Sequence, residues 1–185
     1  MSECEPMTII VERTSYNRAA KAWLARSGHY LDNPPPGALF AVGVYSAEPG
    51  LFGDHVSAGG LRGLCLVGRP VARALPQDGT AAEVTRMVLE PGLPHGTASR
   101  VLRYAAAVCA RRGVRVLYAY HDRSRHTGCI YRKAGFRRDG VTAPKPGGWA
   151  SRPGRASGAY EATGKRRWRL DVAAPRSAAK EAANV

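Results

Sequence analysis

The middle of the chain shows the clearest alternation of apolar and polar segments. Residues 84–88 form a short run rich in apolar and β-branched side chains, and the Glu-Pro-Gly stretch at 90–92 ends it. From Ala98 onwards, apolar residues recur at spacings of three and four, which predicts an amphipathic helix that ends at Gly113. Residues 114–120 are almost wholly apolar, as in a parallel strand buried on both faces. Together these segments predict a right-handed β-α-β crossover.

The flanking sequence extends this crossover into a larger sheet. Loops are expected at 29–37 and 47–60, and Pro70 allows the third strand to continue as far as residue 73 only at an edge or a bulge. The other predicted elements are strands at 7–12, 39–45, 61–67 and 167–172, a helix over 16–27 and a short helix before Gly135. This order predicts the α/β class, with a mixed α+β sheet that carries helices on both faces.

Length and composition indicate one compact domain. A chain of 185 residues with 44% apolar residues can bury a sizeable core, and we assign residues 1–172 to the domain and residues 173–185 to a disordered tail. No apolar run reaches the roughly 20 residues that cross a bilayer, and the first residues are acidic where a signal peptide would be basic. We therefore expect a cytoplasmic protein without a membrane partner. Four scattered cysteines without a C-x-x-C pair favour free, buried thiols.

The formal net charge of +14 is confined to the second half of the chain. Residues 1–99 hold 8 Lys and Arg against 9 Asp and Glu, whereas residues 100–185 hold 20 against 5. Such an asymmetry is typical of proteins that bind DNA or another polyanion. An Arg-rich composition imposed by the genome, or the phosphates of a bound cofactor, would account for the same excess.

A basic stretch over residues 137–160 is rich in Gly, Pro and Arg. Within it, Trp149 has the chemistry to stack on a base, and Arg152 has the charge to contact a phosphate. Both are candidate substrate contacts. A disordered linker would have the same composition.

The turn before the central helix has the composition of an anion site. Gly96, Thr97, Ala98 and Ser99 are small, so successive backbone N–H groups could face a ligand at the positive end of the helix dipole. The alternative is an ordinary helix start that is capped by Thr97 or Ser99.

Two stretches resemble a known family. Residues 130–136 are Ile-Tyr-Arg-Lys-Ala-Gly-Phe, and residues 93–98 are Leu-Pro-His-Gly-Thr-Ala. Both are similar to signatures of the GCN5-related N-acetyltransferases (GNATs), with Leu93 where that family has Arg or Gln. The resemblance implies splayed central parallel strands and acetyl-CoA or another acyl-CoA as cofactor. It also implies that the turn at 96–99 binds the pyrophosphate and that backbone N–H groups near Val88 and Leu89 bind the acyl carbonyl.

A narrower resemblance is to the Mom DNA-modification proteins of bacteriophages, which are GNAT-like and alter adenine. It is carried by residues 120–122 and 126–131, and by further stretches at 67–73, 83–86, 148–153 and 165–168. This resemblance implies DNA as a partner and a nucleobase amine as the acceptor.

Acyl transfer to an amine needs a base for the amine proton, donors for the developing oxyanion and an acid for the leaving thiolate. The GNAT resemblance assigns the acid to Tyr131. Glu83 on the fourth strand and Asp122 after the fifth are both candidate bases, and the sequence does not choose between them. Arg86 matches an Arg of the Mom-like pattern, and its alternative role is an ion pair with one of these carboxylates.

The leading hypothesis is an acyl-CoA-dependent N-acyltransferase that acts on an amine, with a nucleobase amine as the narrower case. His29 and Tyr30 lie in the loop that borders the acceptor pocket of GNATs and are candidate substrate contacts. Two alternatives remain open: a Mom-like adenine-modification protein that does not use acetyl transfer, and an inactive nucleic-acid-binding module. We expect no metal site, because His121 and His126 are spaced too loosely for a metal or base assignment.

Overall fold

The crossover predicted from the sequence forms the centre of a seven-stranded sheet. A computed structural model of the protein describes residues 7–28, 35–49, 55–143 and 164–172. The elements of these residues, in chain order, are β1 (Ile9–Thr14), α1 (Arg18–Arg26), β2 (Phe40–Pro49), β3 (His55–Gly68), β4 (Ala81–Leu89), α2 (Thr97–Arg111), β5 (Val116–Asp122), α3 (Cys129–Lys133), β6 (Arg137–Val141) and β7 (Lys165–Asp171).

The sheet is mixed, as predicted, with the strand order β1-β2-β3-β4-β5-β7-β6. β4 and β5 run parallel, and every other neighbouring pair is antiparallel. The last pair of the β4–β5 ladder is Val84↔Ala119, although β4 continues to Leu89 and β5 to Asp122. The two strands therefore splay apart and leave a cleft that opens towards their carboxyl ends.

Helices cover both faces of the sheet, which confirms the second part of the fold prediction. On the face that we call the α2 face, the predicted apolar stripe of α2 packs into the main core, whose members include Val101, Leu102, Ala105, Val108 and the free, buried thiols of Cys65 and Cys109. On the other face, called the α1 face, Ala20 and Leu24 of α1 pack on Leu64 and Leu66. None of the helices described is long and apolar enough to span a bilayer.

An irregularity in the β3–β4 register decides which side chains of β4 lie on each face. The pairing shifts opposite Thr85, so the alternation of side chains is reversed from that point onwards. As a result, Arg86 lies on the α1 face with Val88, which packs on the α1 core, while Met87 and Leu89 pack against the α2 core.

The predicted strands are wrong in three regions of the chain. The start of the basic stretch 137–160, where we expect a loop, forms the edge strand β6, whose residues are nearly all exposed and therefore show no apolar alternation. β2 and β3 extend into the predicted 47–60 loop because they pair with each other as far as Pro49↔His55. β3 also ends at Gly68 and does not continue to residue 73.

Candidate active site

Backbone donors line the β4 edge of the cleft. Glu90 N–H donates to the carbonyl of Arg62 in β3 at 2.9 Å. Because successive N–H groups of a strand point to opposite edges, the N–H groups of Leu89 and Met87 point into the cleft, whereas that of Val88 points to β3. Of the two residues that the resemblance implies as donors, the register therefore directs only Leu89 to the cleft.

Tyr131 lies at the β5 edge of the same cleft. Its side chain is 7% exposed, and its hydroxyl donates to the backbone carbonyl of Tyr120 at 3.3 Å, one residue past the last β4–β5 pair. Phe136 packs edge-on against the Tyr131 ring, and its N–H donates to the Tyr131 carbonyl at 2.9 Å. The Gly-Phe corner thus fixes the phenol where the cleft begins.

Glu83 lies on the α1 face of β4 and is 7% exposed. Its Oε2 accepts a hydrogen bond from Val71 N–H at 2.9 Å. Burial raises the pKa of the Glu83 carboxyl above its ordinary value, against the opposing effects of the Val71 N–H and the cations Lys165 and Arg86. A carboxylate with a raised pKa that keeps one oxygen uncommitted among the described residues is suited to accept a proton.

Asp122, the other predicted base, is placed differently. It is 2% exposed, and its Oδ1 accepts both the N–H and the hydroxyl of Ser124 at 2.9 and 2.7 Å. Its Oδ2 lies 3.7 Å from Nε of Arg125. Asp122 therefore holds together the turn that leaves β5 and leads to α3, which is a structural role.

Arg86 lies on the α1 face of β4, just beyond the register shift. Its Nη1 donates to the neighbouring Thr85 carbonyl at 2.8 Å. Its charge acts on Glu83 and on Tyr16, which precedes α1, because it lowers the pKa of both groups against the larger effect of burial. Arg86 thus brings positive charge to the α1 side of the cleft.

The predicted anion site forms the start of α2. Gly96 is the N-cap with a positive φ of 88°, and α2 has no side-chain cap. The hydroxyls of Thr97 and Ser99 donate to the carbonyls of Pro94 and Gly96 at 2.6 and 2.9 Å. The predicted residues therefore offer backbone donors, the N–H groups of Ala98 and Ser99 in the first turn, and not hydroxyls.

One cation, Lys133, lies beside this turn although Leu93 replaces the basic residue of the GNAT pattern. Leu93 packs against the α2 core. Nζ of Lys133, at the end of α3, lies 3.2 Å from Nε2 of His95, and both side chains are exposed. Backbone donors at a helix start with a neighbouring cation are a donor set that suits the phosphates of CoA, so these residues fit that cofactor.

A cavity of about 270 Å³ opens on the α1 face next to the end of β4. Trp23, Arg26 and Ser27 of α1 form one wall, and residues 88–91 form the other. Trp23 is half-buried and packs partly on the α1 core. The predicted substrate contacts His29, Tyr30, Trp149 and Arg152 lie outside the described residues.

Sequence reasoning missed several residues of this site. The register of β4 directs the Met87 N–H into the cleft, and the packing of α3 beside α2 brings Lys133 to the start of α2. Neither placement has a local sequence signal. His121 and Trp168, which lie against Tyr131, are 47 residues apart in the chain. The spacing of aromatic residues alone does not predict such a contact.

Comparisons with known proteins agree with this geometry. A family model, described as the Mom protein family, matches residues 8–144. Among solved structures, a GNAT-family protein of Desulfovibrio desulfuricans is 16% identical, with a TM-score of 0.58 over 90% of this chain and 100% of that chain. The Bacillus subtilis acetyltransferase in complex with CoA is 13% identical, with a TM-score of 0.54 over 90% and 100%.

The ribosomal-protein-S18-alanine N-acetyltransferase of Escherichia coli is 10% identical, with a TM-score of 0.57 over 92% of this chain and 98% of that chain. At these identities the similarity establishes the fold, which is that of the GNAT acetyltransferases. A comparison with curated proteins finds none that matches.

Proposed function

The chain belongs to the Mom protein family, and from this premise and the geometry of the cleft we propose that it is an acyl-CoA-dependent N-acyltransferase. Its acceptor is an amine and, in the narrower form of the proposal, the exocyclic amine of a nucleobase. The observation that carries the proposal is the position of the Tyr131 hydroxyl at the start of the cleft. It lies across the splayed strands from the N–H groups of Met87 and Leu89.

The cofactor side of the proposal rests on the start of α2. We assign the pyrophosphate to the N–H groups of Ala98 and Ser99, with Lys133 supplying positive charge in place of the family's residue at Leu93. Bound acyl-CoA supplies the acyl group as an activated thioester. The N–H groups of Met87 and Leu89 orient the acyl carbonyl and stabilise the negative charge that develops on its oxygen.

The two proposed proton transfers take place on opposite faces of the sheet. Glu83 accepts the proton of the attacking amine, directly or through water, on the α1 face. Tyr131 donates its hydroxyl proton to the departing thiolate on the α2 face, and it is reprotonated from solvent afterwards. Asp122 is not assigned as the base because Ser124 and Arg125 already occupy its oxygens.

The acceptor side rests on the cavity at Trp23. An aromatic side chain over a cavity of about 270 Å³ suits a single planar ring system, because drug-sized ligands occupy roughly 300–1,000 Å³. Base–aromatic stacking is the usual way in which an unpaired base is held. A duplex adenine must be flipped out of the helix to reach such a pocket.

Family membership favours a second candidate, a Mom-like modification of DNA adenine that does not use acetyl transfer. This candidate uses the same acceptor cavity and the same base, and it differs from the first in the group that is transferred. The two candidates therefore predict different masses on the modified nucleoside.

One pair of measurements tests these proposals. Mass spectrometry of nucleosides from plasmid DNA, grown with the protein or with Tyr131→Phe, identifies the modified base and the transferred group. Thermal unfolding with and without acetyl-CoA detects cofactor binding, since a ligand that binds only the folded state stabilises it by mass action. An acetylated nucleoside supports the first candidate, and another adduct without acetyl-CoA stabilisation supports the second. Unmodified nucleosides together with no thermal shift at millimolar acetyl-CoA would overturn both.

A further inference from the structure

A buried polar pair lies behind Tyr131. Trp168 and His121 are 3% and 5% exposed, and the indole Nε1–H of Trp168 donates to Nδ1 of His121 at 2.6 Å. Because Nδ1 accepts this bond, the neutral imidazole carries its proton on Nε2. The hydrogen bond therefore selects one tautomer of His121.

The same two rings pack against the ring of Tyr131. The centroid of Tyr131 lies 5.9 Å from His121 and 5.6 Å from Trp168, with interplanar angles of 14° and 23°. His121 and Trp168 are themselves 5.8 Å apart, so the three rings form a triangle. These separations are those of favourable aromatic pairs, so the orientation of Tyr131 depends on both neighbours.

Gly128 closes this arrangement from the start of α3. Its φ is 75°, and a Cβ at this position would lie 2.6 Å from Cε1 of His121 and 2.6 Å from Cζ2 of Trp168. The two rings therefore pack directly against the backbone of Gly128, and a side chain at this position would displace them. We call His121, Trp168 and Gly128 the ring clamp.

We propose that His121 is a positioning residue, which acts through the ring clamp to hold the hydroxyl of Tyr131 at the edge of the cleft only while its imidazole is neutral. The proposal rests on the assignment of Tyr131 as the acid under the proposed function. Protonation would place an N–H on both nitrogens of His121. The Nδ1–H would then face the Trp168 N–H at hydrogen-bond distance without an acceptor between them, so the clamp would open.

The surroundings of His121 favour its neutral form. Burial lowers the pKa of His121, and the charges of Arg166 on β7 and of His126 and Arg123 after β5 act in the same direction, against the carboxylate of Asp122. A depressed pKa means that the stability contributed by the neutral ring is complete above the unfolded value of about 6.5. This contribution is lost as the pH falls from that value through the folded pKa.

An NMR titration tests the clamp without any need for activity. The full chain is labelled at its tyrosine rings, and Tyr131→Phe assigns the Tyr131 signals. Between about pH 8 and about pH 5, we expect the Tyr131 signals to move with a single midpoint below about 6.5. Signals that do not move in this range would overturn the proposal.

The matched control replaces both polar partners and keeps three rings. In the double variant His121→Phe/Trp168→Phe we expect no pH-dependent movement of the Tyr131 signals. Replacing both partners of a buried hydrogen bond by apolar rings leaves no polar atom of the pair without a partner, so we expect this variant to fold with a moderate loss of stability from the smaller ring at residue 168. The same movement in the double variant as in the wild type would also overturn the proposal.

Kinetics separate positioning from packing. We expect kcat of the wild type to fall on the acid side more steeply than the protonation of Glu83 alone would cause, and the double variant to keep only the Glu83 limb. At about pH 8 the double variant should have a lower kcat, by up to about a hundredfold, with an unchanged KM for acetyl-CoA. An unaltered kcat and pH profile in the double variant would overturn the positioning role. Absence of acetyl-CoA binding in the wild type would instead overturn the proposed function, and the NMR titration would then decide the clamp alone.

Discussion

The two faces of the sheet at the cleft differ in how they hold their polar groups. On the α2 face, Tyr131 packs against the aromatic rings of His121 and Trp168, and one hydrogen bond directs its hydroxyl. On the α1 face, Glu83 lies among charges, with Arg86 and Lys165 acting on a carboxyl whose pKa burial raises. The difference shows how one cleft can keep a proton donor and a proton acceptor apart. Packing against aromatic rings fixes the position of the proton donor, Tyr131, whereas burial and nearby charges set the pKa of the proton acceptor, Glu83.

The largest effect on activity is expected from a substitution on the α2 face. Tyr131→Phe removes one hydroxyl and little volume, so the fold and the affinity for acetyl-CoA should be retained. Because general-acid catalysis contributes about a hundred- to ten-thousand-fold, we expect a loss of that size in kcat, with an unchanged Kd measured by calorimetry.

The control for Tyr131→Phe is Tyr118→Phe. Tyr118 is another buried tyrosine, on β5 and away from the ring clamp, and its substitution should leave kcat within about twofold. Near-wild-type turnover in Tyr131→Phe would show that Tyr131 only packs, and the proton of the leaving thiolate would then have to come from water.

The next largest effect on activity is expected from a substitution on the α1 face. Glu83→Gln keeps the acceptor for Val71 N–H but cannot take a proton, so we expect kcat to fall by about a hundredfold or more. The same substitution should raise the melting temperature at neutral pH. A carboxyl with a raised folded pKa contributes stability below its unfolded pKa of about 4.3, and that contribution is lost as the pH rises through the folded pKa.

Asp122→Asn is the matched comparison on this face. Its carboxylate holds a turn, so we expect a lower melting temperature, by an amount equivalent to about 1 kcal/mol, with kcat within about tenfold of the wild type. Should Asp122→Asn lose turnover while Glu83→Gln keeps it, the two assignments are reversed.

Most of the centre of the fold follows from local sequence pattern. The crossover could be predicted because the period of α2 and the apolar run of β5 are each visible within a short window. β6 could not, because an exposed edge strand gains its stability from pairing with β7 and carries no apolar alternation.

The contacts of the candidate site are harder to predict from the sequence than the fold is. The signature at Tyr131 is local and places that residue, whereas Glu83 and Asp122 differ in contacts that only the folded chain makes. The flanking Val71 N–H comes from a loop 12 residues away, and the Trp168–His121 bond joins residues 47 apart. Residue types can be recognised from sequence, but long-range partners such as these depend on packing.

Alanine substitutions at two glycines measure how tightly the ring clamp is packed. Gly128 and Gly113 share a φ of 75°, but a Cβ at Gly113 meets nothing within 4 Å, while one at Gly128 meets both rings of the clamp at 2.6 Å. Both alanine variants pay the left-handed backbone cost of about 1–2 kcal/mol. We expect Gly128→Ala to lose a further 1–3 kcal/mol or so from overpacking, measured by urea unfolding. Equal losses in the two variants would mean that the rings give way easily and that the clamp is loose.

The smallest effect on activity is expected at Trp23, which lines the proposed acceptor cavity on the α1 face. Trp23 lines the cavity beside β4 and also packs on the α1 core, so its two roles need separate variants. Trp23→Phe keeps an aromatic face for stacking, and Trp23→Leu keeps only apolar packing. With a single-stranded oligonucleotide that carries one adenine, no duplex has to open. Stacking is worth about 1–3 kcal/mol per base, so Trp23→Leu should raise KM for the oligonucleotide about tenfold.

Trp23→Phe should raise the same KM only slightly, and kcat and the Kd for acetyl-CoA should stay constant in both variants. Equal KM values for Trp23→Leu and the wild type would show that Trp23 only packs on α1. The acceptor would then be bound by charge, to which Arg26 at the cavity and Arg86 on β4 contribute on the α1 face. In that case KM should rise steeply with salt. A stacked base would depend less on salt, so the salt series decides between the two modes of acceptor binding.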